Sequence, residues 1–369
     1  MLPPLPTTEI SLNVLPFIYY KIKVEGNIYK VENLAILVVY VYKKIIGKRT
    51  YYYLRVSEKR GKKVISKDLA YLGSSIEEAQ KALDNLPQYK EKIRKAHKTI
   101  HAFLESNHFL EKALSLKLKK DEFLGEKLAE VEACKIHYST SFEKRDSLTK
   151  KETWKNFIIE FAFNTASIEG NTITLKEARN LLEEGMTPKN KTLREIYDLQ
   201  NAEKVFFRLL ESNEELGHEF ITNVHARLME NIDARRGYRN EDVRVFKSNF
   251  DATPGPYVLA DMNLLLKWYS ENKNKLHSLV LAAIFHHKFE KIHPFMDGNG
   301  RTGRMLMNHV LMQNGYPPLI LRSKARAEYL DSLRKADKSD LKKSAIEDYS
   351  RLSQFVADEM VFSYWDLFL

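Results

Sequence analysis

Residues 292–304 read Ile292-His-Pro-Phe-Met-Asp-Gly-Asn-Gly-Arg-Thr-Gly-Arg304 (IHPFMDGNGRTGR), and the fold turns on what flanks them. Upstream, Leu281, Phe285, Phe289 and Ile292 recur at helical spacing. Downstream, a second helix is expected to start near Arg301. The stretch is therefore a loop between two buried helices, and it concentrates a base candidate, a carboxylate, a glycine-rich turn and two arginines within thirteen residues. Gly298 and Gly300 let backbone N–H groups approach a phosphate, and the helix that follows aims its positive end at the same point. Arg301 and Arg304, three apart, share a helical face and can hold successive phosphates. Asp297 offers a hard oxygen to Mg²⁺, and His293 can accept a hydroxyl proton near neutral pH.

Taken singly, each of these residues has a structural explanation: a His beside Pro, an Asp opening a turn, arginines on a solvated helix. Their joint spacing is what points to nucleotide chemistry. Gly298, Gly300 and Gly303 also satisfy GxGxxG, but a dinucleotide fingerprint needs a strand before it and an acidic residue about 20 positions on. The run before it is helical, and no Asp or Glu occurs from Met305 to Ala327. There is no P-loop Gly-Lys-Ser/Thr, and His286, His287 and His293 lack the HExxH spacing of a zinc site.

Working outward, predominantly helical sequence occupies everything after residue 150. Trp154, Phe157, Ile158, Phe161, Thr165 and Ile168 mark one helix closed by Gly170 and Asn171. Thr174 and Glu177 form a capping box for the next, which Gly185 stops. Further helices are expected at Leu193–Leu210, Phe220–Asn231, Ala260–Asn272 and Leu279–Ile292, with weaker ones after Ser323. Gly237 to Val258 alternates briefly at Val243 and Val245 before the turn Thr253-Pro-Gly-Pro256, the pattern of a hairpin flap. Ile136–Lys150 loses apolar periodicity and is the expected domain boundary. Before it, Leu34–Tyr42 reads as a buried strand, Thr50–Val56 and Val64–Leu72 as a hairpin, and Ser75 with Glu78 as the capping box of a charged helical stretch.

The chain has 369 residues, 44% of them hydrophobic and 29% charged, which is ordinary globular composition. One cysteine, Cys134, excludes an intramolecular disulfide and suits a reduced, cytoplasmic setting. No apolar run is long enough to read as a membrane span. The net charge of +10 comes from the first hundred residues, with 19 Lys/Arg against 9 Asp/Glu, while the rest balances at 40 against 40. Such a block can dock nucleic acid or an acidic partner, and a solvated hairpin with lysine-rich edges gives the same count.

The stretch from His293 to Arg304 resembles the Fic signature, His-x-Phe-x-Asp/Glu-Gly-Asn-Gly-Arg-x-x-Arg, at every defined position. Thr165-Ala-Ser-Ile-Glu169-Gly170 is similar to the inhibitory pattern Ser/Thr-x-x-x-Glu-Gly/Asn of that family, in the class that places its inhibitory helix before the catalytic core. The resemblance runs from about Trp154 to Leu330. It implies a mainly α fold, a Fic-type helical bundle with a short β-hairpin flap, preceded by a smaller α+β module. The units are then 1–74 (basic β-hairpin module), 75–150 (charged helical linker), 151–330 (catalytic domain with inhibitory helix) and 331–369 (C-terminal helical extension). The implied activity is protein adenylyltransfer, moving AMP from ATP to a Tyr, Thr or Ser hydroxyl of a target protein with Mg²⁺ or Mn²⁺. In that role His293 is the base, Phe295 a buried anchor and Asp297 the metal ligand. Gly298, Asn299, Gly300, Arg301 and Arg304 hold the nucleotide, Glu169 with Thr165 inhibits, and Val243, Arg244 and Val245 form the target-docking flap. Removal of AMP by the same residues, a nucleic-acid-binding regulator working through residues 1–100, and a homodimer all remain compatible with the sequence.

Overall fold

The computed structural model describes residues 37–47, 49–60, 63–243 and 252–369. Three strands, β1 (Leu37–Ile46), β2 (Arg49–Arg60) and β3 (Lys63–Gly73), form an antiparallel sheet in that order. The expected hairpin is β2–β3, and the apolar run before it supplies the third strand. Alternation puts Val39, Val41, Tyr52, Leu54 and Leu72 on one face. That face buries against α1 (Ile76–Asp84), and α2 (Lys90–Lys95) and α3 (His97–Ser115) follow. The cap of α1 differs in detail from a reciprocal box. Ser75 Oγ accepts the N–H of Glu78 at 3.1 Å, but the Glu78 carboxylate takes the N–H of Ser74 at 2.6 Å. Gly73 has to be glycine beneath it, since a Cβ there would lie 2.4 Å from Glu78 Cβ.

The larger unit is helical: α4 (Lys127–His137), α5 (Ser147–Ile168), α6 (Leu175–Glu184), α7 (Leu193–Glu211), α8 (His218–Leu228), α9 (Val258–Asn272), α10 (Ser278–Ile292), α11 (Asn299–Gln313), α12 (Arg326–Ala336) and α13 (Ile346–Leu367). Both sides of the Thr174–Glu177 box form, and Thr192 with Glu195 builds a second on α7. Gly185 ends α6 in the left-handed conformation, φ 69°.

Helix α10 is the axis. Every residue from Leu279 to Phe289 is buried, as expected of a helix that is apolar nearly all round, and α9, α11 and α13 pack against it. Even Lys288 is enclosed, donating to the carbonyls of Asp340 at 2.9 Å and Lys343 at 2.6 Å; burial pulls its pKa down to about 8.

The main core is continuous from Phe109 to Phe368. It runs through the segment 136–150, where His137 donates or accepts at Tyr364 Oη (2.6 Å) and Phe142 packs on Phe368. Polar composition there reflects an exposed rim around two buried anchors. Helix α3 serves both cores: Ile100 and Leu104 join the sheet, Phe109 and Ala113 the bundle.

Candidate active site

The loop between α10 and α11 is held in an unusual backbone. His293 closes α10 at φ 53°, ψ 59°, the left-handed region, which costs a non-glycine residue about 1–2 kcal/mol. Arg239 compensates. Its Nε donates to His293 O at 2.7 Å, its Nη2 to Ile292 O at 3.2 Å, and its backbone N–H to Pro294 O at 2.9 Å. Burial lowers the pKa of His293, so the neutral imidazole persists below the ordinary histidine range.

Phe295 anchors the loop. It is fully buried and stacked on His225, ring centroids 3.6 Å apart and planes 4° from parallel. Asn299 closes the turn reciprocally, accepting the N–H of Phe295 and donating to its carbonyl, both at 2.8 Å. Asn299 thus acts on the loop itself. The His225 imidazole is buried and neutral, its pKa reduced to about 4, and its Nε2 donates to Asp297 O at 3.0 Å.

Gly298, at φ 77°, leads into the N-terminus of α11, whose first N–H groups have no intrahelical partner and face an anion's place. Asp297 stands beside them. Burial pushes its carboxyl up, but Arg301, Arg194 and the Gly298 N–H outweigh that and leave it below its usual range, ionised. Among the described residues no group of three or more His, Cys, Asp or Glu could hold a metal. A cation here would take one carboxylate plus phosphate oxygens and water, the habit of Mg²⁺.

The two arginines differ. Arg301 is buried and ion-paired with Asp198 of α7, with Asp297 Oδ1 at 3.5 Å from its Nη2. Arg304 donates through Nε to Thr165 Oγ1 at 2.7 Å, and through Nη2 to Thr165 O at 3.0 Å and Glu169 Oε1 at 2.7 Å. The structure thus brings together His293, Asp297, Gly298, Asn299, Gly300, Arg301, Arg304, Thr165 and Glu169. Of the flap, Val243 is described and half-buried, whereas Arg244 and Val245 lie outside the described residues. On the two sides of the segment outside the described residues, Gly255 donates to Asp242 Oδ1 at 2.8 Å, and Thr253 Oγ1 to Asp261 at 2.7 Å.

Five participants escape sequence reading: Arg194, Asp198, His225, Arg239 and Glu290. Glu290 is largely buried within the field of Arg304, its Oε1 is enclosed without a hydrogen-bond partner, and burial raises its pKa to about 8. The only hint in the sequence is the i, i+4 pair Arg194 and Asp198 behind a capping box, which gives a shared face but not its partners.

Residues 215–311 match the Fic/DOC family model. The protein adenylyltransferase fic-1 of Caenorhabditis elegans is 33% identical over 188 residues, which is 49% of this chain and 37% of that protein. The protein adenylyltransferase Fic of Nematostella vectensis is 34% identical over 214 residues, 54% of this chain and 50% of that one. The chain thus spans half or less of the length of these curated relatives. A crystal structure of a Fic domain containing signaling protein from Bacteroides thetaiotaomicron superposes with a TM-score of 0.57 at 26% identity, covering 63% of this chain and 94% of that one. Fic-1 of C. elegans gives 0.53 at 24% identity over 79% and 81% of the two chains, a likeness of fold.

Proposed function

Since residues 215–311 form a Fic/DOC-family domain, we propose that this chain is a protein adenylyltransferase held off by its own Glu169. The observation that carries the reading is the convergence on one loop of a neutral imidazole, an ionised carboxylate, a helix N-terminus and a carboxylate-clamped arginine.

The chemistry follows from these groups. His293 takes the proton of a target Tyr, Thr or Ser hydroxyl as its oxygen attacks the α-phosphorus of ATP; the new O–P bond forms while the bond from that phosphorus to the pyrophosphate oxygen breaks. The N–H groups opening α11 stabilise charge on the α-phosphate. Arg304, once free, grips the far end of the triphosphate and aligns the leaving group behind the attacked phosphorus. Mg²⁺ or Mn²⁺, held by Asp297 and phosphate oxygens, would neutralise the departing pyrophosphate. With Glu169 on Arg304 the γ-phosphate has neither its cation nor its place, and a carboxylate there repels it. The flap, through Val243, Arg244 and Val245, is the natural seat for an extended target segment adding as a strand.

The test is mass spectrometry of the chain and of a host lysate after incubation with ATP and Mg²⁺. AMP adducts in the wild type or Glu169→Gly protein, absent with His293→Ala, support the proposal. No adduct from Glu169→Gly with any lysate protein or with itself overturns it.

A further inference from the structure

We infer that Arg194 is the resident countercation of Asp297, and that a divalent cation reaches this carboxylate only as Arg194 leaves it; the inference rests on the reading of Asp297 as the metal-holding residue. The two oxygens of Asp297 are differently engaged. Oδ1 accepts the Gly298 N–H at 2.6 Å and faces Arg301 Nη2 at 3.5 Å. Oδ2 is ion-paired with Arg194 Nη2. Magnesium binds a carboxylate oxygen at about 2.0–2.1 Å and keeps a tight octahedral shell, so a guanidinium on the same oxygen occupies its coordination space and repels its charge.

The setting of Arg194 fits a group that is placed to be displaced. Thr192 caps α7 and Glu195 completes the box, making Arg194 the second residue of the helix. A cation in the first turn opposes the helix dipole, so Arg194 is held there by carboxylates, by the ion pair with Asp297 and by the charge of Asp198 one turn on. Its side chain is 55% exposed, with water at hand to receive it. Asp198, four residues on and projecting from the same face, holds buried Arg301. Departure of Arg194 therefore leaves the second contact of α7 with the loop in place, and the carboxylate is opened without unmaking the anion site. The affinity of the site for its cation is set by the ease of that exchange.

The experiment measures Mn²⁺ binding to the full chain by electron paramagnetic resonance, with a non-hydrolysable ATP analogue present, and needs no turnover. Arg194→Met keeps the aliphatic stem and removes the charge; it should bind Mn²⁺ about three- to tenfold more tightly than wild type, since partly exposed ion pairs are weak. Arg194→Lys should stay near wild type, and Asp297→Asn should abolish binding in either background. Unchanged affinity in a folded Arg194→Met protein, with Asp297→Asn still losing the metal, overturns the role of Arg194 and leaves the reading of Asp297 standing. Equal Mn²⁺ binding by Asp297→Asn and wild type overturns both.

Discussion

Glu169 Oε1 lies so close over Gly300 that a Cβ added there would stand 2.1 Å from it. The Glu169 carboxylate and the Gly298–Gly300 turn thus occupy contiguous space, and each constrains what the other can be.

From this contact a coupled pair of substitutions follows. Gly300→Ala should expel the Glu169 carboxylate from Arg304 and destabilise the fold by about 1–3 kcal/mol, because a buried guanidinium loses its counterion. In the Glu169→Gly background the same alanine meets no carboxylate and should cost less, a coupling of at least about 0.5 kcal/mol by double-mutant cycle in denaturant melts. Strict additivity would contradict the contact.

Release of Arg304 should raise transfer. Glu169→Gly is expected to increase AMP incorporation at least about tenfold, the effect of one well-placed charge interaction of roughly 1.4 kcal/mol or more. Adding Arg304→Ala should cancel the gain. Wild-type rates from Glu169→Gly, with Mg²⁺ and ATP present, would end the autoinhibition reading.

For His293 the expectation concerns both amplitude and pH. His293→Ala should abolish transfer while ATP affinity changes little. Because burial lowers the pKa of His293, the neutral base persists on acidification, and the acid limb of the rate profile should fall below the ordinary histidine value of about 6.5. An acid limb at or above that value would count against His293 as the titrating base.

Glu290 makes a prediction about stability. Its pKa of about 8 in the fold exceeds the unfolded value of about 4.5, so the unfolded chain releases its proton first. Its contribution is fully present below about pH 4.5 and is lost as pH rises through about 8, with a slope of at most about 1.4 kcal/mol per pH unit. Glu290→Gln removes the titration. Urea melts at pH 5 and pH 8 should show a wild-type loss that the variant lacks, and parallel losses would refute it.

The loop was legible because its chemistry is local: thirteen residues carry the base, the turn and the anion site, and the backbone follows from Gly298 and Asn299. Glu169 was legible through the resemblance of Thr165-Ala-Ser-Ile-Glu169-Gly170 to the family's inhibitory pattern, with the four-residue spacing placing Thr165 and Glu169 on one helical face. Arg239, Asp198 and His225 were not, since each acts through carbonyls or charges dozens of residues away, and a buried histidine or arginine looks the same in sequence as an exposed one. At 136–150, where the sequence places a boundary, polar composition and burial occur together. Ser and Thr there line a rim, while His137 and Phe142 are buried, and partly buried Tyr138 stacks on Phe142 at 5.5 Å.

Helix α3 is a common beam of two cores, with Ile100 and Leu104 at one end and Phe109 and Ala113 at the other. Phe109 lies edge-on to His137 at 4.9 Å and beside Trp365 at 6.3 Å, so the beam is seated in the last helix of the chain as well as under the sheet. Trimming the molecule to its helical bundle therefore has no clean place to cut: a start at residue 97 strips the cover from Ile100 and Leu104, and a start after residue 115 opens a hole against His137 and Trp365. Denaturation of the sheet and of the bundle should consequently register as one transition, in which the strands report on the integrity of helices far from them.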